Sequence, residues 1–97
     1  MTQVIIGPEA DADITDAVDW YGEHDAILPA RFIDELSRIF ERIGENPMQF
    51  PIVEQVVRRA LLRKFPYSVY FTTDESDIAM VLAVAHQKRH PTRWKRK

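Results

Sequence analysis

A chain of 97 residues, 45% apolar and 29% charged, has the size and composition of one globular domain spanning residues 1–97. Zero cysteines exclude disulfides and thiolate metal sites, and the longest apolar run, residues 78–85, is far too short to cross a bilayer. The net charge of −2 conceals a division, because residues 1–57 carry −9 and residues 58–97 carry +7. Such sorting predicts an acidic layer and a basic face made for an anionic partner. The first residues lack a basic segment followed by a long apolar one, so a cytoplasmic protein without membrane attachment is expected.

Val4-Ile5-Ile6 predicts a short strand, stopped by Gly7-Pro8. The same pair then opens a helix, with Gly7 as N-cap and Pro8 at the first helical position, where a missing N–H costs nothing. Glu9, Asp11 and Asp13 complement the positive end of the helix dipole. Ala10, Ile14, Ala17, Val18 and Tyr21 form the buried stripe, and Gly22 to Asp25 close the helix. Asp11, Asp13, Asp16 and Asp19, stepping by two and three, are assigned to its solvated side. Pro29 opens a second helix whose stripe is Phe32, Leu36, Ile39, Phe40 and Ile43, ended by Gly44 and Asn46-Pro47. The short connection predicts an antiparallel helical hairpin.

Beyond Pro51 the chain turns β-branched and aromatic. Val56 to Phe65 reads as one strand, Tyr67 to Thr72 as a second, and Ile78 to His86 as a third, with Asp74-Glu75-Ser76-Asp77 as a hairpin turn. The third strand is apolar on both faces, Ile78, Met80, Leu82 and Val84 on one and Ala79, Val81, Ala83 and Ala85 on the other. The smaller face is the one expected to receive a helix. Helices gathered before strands indicate an α+β fold, β-α-α-β-β-β, with the helical hairpin on an antiparallel sheet.

Six Lys/Arg, two His and no acid lie between His86 and Lys97. Within the first long strand, alternation places Arg58 with Lys64 on one side and Arg59 with Arg63 on the other. One pair faces a partner, or both are solvated or bridge to the acidic helices. His86 is read as a strand-end histidine bonded to backbone, and Arg89 marks where the basic tail leaves the sheet. Trp94, between Arg93 and Lys95, either covers the sheet edge or stacks on a base or packs against a partner segment. His24 and His90 lack metal-ligand spacing, so neither a metal nor a cofactor is expected.

The residues Ala10-x-x-Asp13-Ile14, Trp20-Tyr21, Arg31-Phe32 and Asn46-Pro47 resemble the helical half of the RelE/ParE superfamily of toxins. The run from Arg58 to Tyr67, with its Phe65-Pro66-Tyr67 turn, and His86-x-x-Arg89-x-Pro91-x-x-Trp94 resemble its sheet half. The resemblance implies the toxin of a type II toxin–antitoxin, or plasmid stabilisation, system, relieved by a cognate antitoxin in a hetero-oligomer. Two targets follow from it: DNA gyrase for ParE-like members, and mRNA in the ribosomal A site for RelE-like members. RelE-like cleavage needs cations around a phosphate and groups that move protons. Here Arg58 or Arg59, Arg63, His86 and Arg89 are the candidates for it. Yet no tyrosine follows Tyr70, and the tail aromatic Trp94 carries no transferable proton, which favours the ParE-like branch. The expected target- or antitoxin-binding residues are Arg58, Arg59, Arg63, Lys64, Arg89, Arg93 and Trp94. A non-toxic nucleic-acid-binding module is the weakest alternative, given the acidic total.

Overall fold

A computed structural model describes residues 1–88. The chain runs through strand β1 (Gln3–Ile6), helices α1 (Pro8–His24) and α2 (Leu28–Glu45), a 3-10 turn (Pro47–Gln49), and strands β2 (Ile52–Glu54), β3 (Val57–Leu61), β4 (Tyr67–Thr73) and β5 (Ile78–His86). The α+β order anticipated from the patterning is present. The five strands form one sheet in the order β1-β5-β4-β3-β2. β1 pairs parallel to β5, while the other neighbours are antiparallel.

Prolines place both helix starts, lying in the first two positions of α1 and α2. α2 buries Phe32, Leu36, Ile39 and Ile43 along one stripe and leaves its other side charged, as with the exposed Asp34–Arg38 pair at 2.8 Å. α1 continues through Gly22 to His24, and only three residues separate the helices. Asp25 makes that link tight, its carboxylate accepting the Ile27 N–H at 3.0 Å. The core lies between the hairpin and one sheet face: Ala10, Ala17, Tyr21, Phe32, Leu36, Ile39 and Ile43 meet Ala60, Val69, Phe71, Ala79, Val81 and Val84. Aromatic edges interlock at one end, where Tyr21, Phe32, Phe65 and Tyr67 have ring centroids 5.0–6.1 Å apart.

Two local readings need correction. The strand expected over Val56 to Phe65 stops at Leu61, because the Leu62 side chain turns into the core and Arg63 to Pro66 form a bend. A short edge strand, β2, was not anticipated; it pairs back on β3 through the two-residue turn Gln55-Val56, with Gln55 at φ 51.

β5 also departs from simple alternation. Tyr70 pairs with Ala83 but Phe71 pairs with Val81, so Leu82 is an additional residue in the ladder. Ala79, Val81 and Val84 therefore face the helices, whereas Ala83 joins Val57 and Tyr70 in a second buried cluster with Leu82 and Ala85 against it. The expected partition, with Ala79, Val81, Ala83 and Ala85 on one face, is wrong beyond Val81. A bulge inverts the facing of every residue that follows it.

Candidate docking surface

The cations of β3 are sorted by the pleat. Arg58 pairs with Phe71 and Ala60 with Val69, both core residues, so Arg58 points to the helix side. There its guanidinium donates to the Phe50 carbonyl at 2.6 Å and approaches the Met48 sulfur at 3.1 Å, clasping the 3-10 turn. Asn46 and Gln49 complete that turn, through Met48 N–H to Asn46 Oδ1 and Gln49 Nε2 to the Arg42 carbonyl. Arg58 is thus engaged in structure.

Arg59 pairs with Tyr70 and lies on the face away from the helices, beside Val57 and Leu61 on the same strand. It is half-buried, and its Nε is enclosed without a hydrogen-bond partner. A buried donor left unpaired costs about 1–3 kcal/mol, which is uncommon unless something else is to engage the group. Its neighbour Leu61 is 49% exposed.

Arg63 and Lys64 do not alternate on a strand. Both sit in the bend between β3 and β4 with exposed side chains. What fixes the bend is Glu35 of α2, whose carboxylate accepts the backbone N–H groups of Arg63 and Lys64, the latter at 3.0 Å. Glu35 was not anticipated from the sequence. It lies three residues after Phe32 and four before Ile39, on the border of the buried stripe, and that placement of an acid was the available signal.

His86 closes β5 on the helix side, its ring edge-on to Tyr67 at 5.4 Å, and its Nδ1 accepts the Lys88 N–H at 3.2 Å. This is the backbone-bonded strand-end histidine expected. Gln87 fastens the exit from the sheet, with its N–H on the Pro66 carbonyl at 2.7 Å and Nε2 on the Tyr67 carbonyl at 3.1 Å. Arg89, Arg93 and Trp94 lie outside the described residues. Of the cations expected at the surface, Arg59 lies on the helix-free face and Arg63 with Lys64 at the end of β3. Arg58 and His86 lie on the opposite face, so the pleat separates them from Arg59.

Asp13 corrects another expectation. Rather than lying on the solvated side of α1, it is 9% exposed, and its Oδ2 accepts the Val84 N–H at 3.0 Å. Its sequence position gave the hint, since it sits three residues after Ala10 and four before Ala17, both buried. Asp11, Asp16 and Asp19 are exposed as expected. The Tyr21 hydroxyl is held protonated above its ordinary 10.0, first by burial and then by the nearby Tyr67.

Among the described residues no cluster of His, Asp and Glu is gathered for a metal, and no helix is long and apolar enough to cross a membrane. A helical hairpin thus covers one face of a five-stranded sheet, with cations at the end and on the far face of β3. The model of the family described as "ParE toxin of type II toxin-antitoxin system, parDE" matches residues 4–91, and the chain belongs to that family. A solved structure titled "Chromosomal ParDE TA system from P. aeruginosa" has a similar fold, with a TM-score of 0.78 at 17% identity, covering 89% of this chain and 96% of that one. No curated protein matches.

Proposed function

We propose that this chain inhibits growth by engaging DNA gyrase and is silenced by a cognate antitoxin. The antitoxin docks an acidic segment across Arg59, Arg63, Lys64 and the basic tail with Arg89, Arg93 and Trp94. Membership of the ParE toxin family supports the toxin role. The observation that carries the docking proposal is Arg59: a guanidinium on the helix-free face whose Nε is buried and unpaired. Turning this half-buried side chain outward to a partner's carboxylate releases the unpaired donor and gives it an acceptor, and such charge-assisted pairs are short and directional. In this reading the protein acts by binding rather than by breaking a bond; supporting it, Arg59 lies across the sheet from His86, and Arg58 on the His86 side is committed to the Phe50 carbonyl. A nuclease site needs those groups around a single phosphate.

The test is expression with and without the neighbouring antitoxin reading frame, followed by a gyrase supercoiling assay and mRNA mapping. Inhibited supercoiling with intact mRNA, reversed by the antitoxin, is the expected result. Cleavage of mRNA in the ribosomal A site overturns the gyrase assignment.

A further inference from the structure

Asp13 is a carboxylate in the middle of the α1 stripe, between Ala10 and Ala17, and the docking proposal makes no use of it. The group it holds is 71 residues away, the Val84 N–H, two residues past the additional residue Leu82. Bulges weaken a ladder locally, bend the strand, and re-aim whatever follows. Here the bulge puts Ala83 with Val57 and Tyr70 and returns Val84 to the helix side. By the same alternation it sets His86 against Tyr67 and leads into the Gln87 anchor on Pro66 and Tyr67.

We infer that Asp13 is a positioning residue: by accepting the Val84 N–H it ties β5 to α1 just past the bulge and so fixes the end of β5, where Gln87 fastens the bend that carries Arg63 and Lys64. Asp13 does not touch the partner. It acts through β5, and the functional part of this inference rests on the antitoxin-docking proposal above. The physical basis is that β1 accompanies β5 only as far as Val81, so the Val84 N–H lies beyond the end of that strand, and an acceptor from a packed helix satisfies it and fixes both position and direction. Small residues permit that approach, since Ala10 of α1 and Ala79 of β5 are both fully enclosed.

The experiment uses the full chain, isotopically labelled, as wild type, Asp13→Ala and Asp13→Asn. Asparagine retains an oxygen that accepts the Val84 N–H, whereas alanine retains none. In wild type the Val84 amide exchanges as slowly as that of Val81. In Asp13→Ala it exchanges at least ~10-fold faster relative to Val81, and the ring-current shifts between His86 and Tyr67 change. Antitoxin affinity then falls ~10-fold, and Asp13→Asn restores both signals. Faster exchange spread evenly over all core amides overturns the inference, because it marks general destabilisation. Failure of Asp13→Asn to rescue overturns it too, since charge and not acceptance would then matter. Local loosening at Val84 with unaltered antitoxin affinity overturns the functional part. If Asp13→Ala does not fold, the wild-type measurement decides, and an unprotected Val84 amide refutes the pinning. A wild-type chain that binds no antitoxin refutes the docking proposal, while the amide comparison still judges Asp13.

Discussion

Arg58 and Arg59 are identical side chains on adjacent residues, and the pleat of β3 gives them opposite roles. Arg58 clasps the Phe50 carbonyl on the helix side, while Arg59 stands beside Tyr70 on the other with an unpaired Nε. Truncating each therefore gives different outcomes. Arg58→Ala is expected to lower folding stability by about 1.5–3 kcal/mol, the range for a hydrogen bond from a charged donor, as read in urea unfolding. Arg59→Ala removes an unpaired buried donor and is expected not to lower stability, while weakening antitoxin binding ~10-fold or more, as read by calorimetry. The opposite pattern would return Arg58 to the docking surface. Tyr21 offers a third test. Its folded pKa is raised, so the folded chain keeps its proton at a pH where the unfolded chain has lost it. Stability is unaffected below about pH 10 and falls as pH rises from there toward the folded pKa. Tyr21→Phe removes that loss, so its melting temperature should decline less than wild type as pH rises above about 10.

At the scale of elements, two helix-borne carboxylates fasten parts of the sheet. Glu35 of α2 caps the bend after β3, and Asp13 of α1 caps the bulge of β5. Glu35→Ala strands two backbone donors and should cost about 1–3 kcal/mol, whereas Glu35→Gln keeps an acceptor oxygen and should cost less. Thermal unfolding of the two variants checks this; equal losses would show that charge, and not acceptance, holds the bend. The junction of β1 and α1 is tighter still. A Cβ on Gly7 would stand 2.9 Å from the Val81 carbonyl oxygen, which the Gly7 N–H itself engages at 2.9 Å. Gly7→Ala must therefore shift backbone and should destabilise more than Gly44→Ala, whose Cβ would meet the Thr2 carbonyl oxygen at 3.1 Å. Both helices were legible from periodicity, because each buries one repeating stripe, and four strands from short β-branched, aromatic or apolar runs bounded by turn residues. β2 was not, since its three residues are too few to repeat, and it depends on pairing with β3.

For the molecule as a whole, the division of charge remains the feature that predicts behaviour. An acidic helical hairpin backs a sheet whose cations lie at one end and on the far face of β3, the arrangement by which the docking proposal has an acidic partner segment steered there. Antitoxin affinity should fall as salt rises, because exposed charges more than ~8 Å apart are screened at physiological ionic strength. A salt-independent dissociation constant would point instead to the exposed apolar residues of the β2–β3 hairpin, such as Val56 and Leu61.

The linear pattern by itself determined the element order, the hairpin, the buried stripe of α2 and the sorting of charge. Each is written into nearest-neighbour spacing: 3.6 residues per turn, two per pleat, and a proline at each helix start. The facing of β5 beyond Val81, the burial of Asp13 and the division between Arg58 and Arg59 were decided only when the chain closed on itself. An additional strand residue reverses every side chain after it, and an acid is buried only where a distant backbone donor waits for it. Neither condition leaves a periodic trace near the residues it governs.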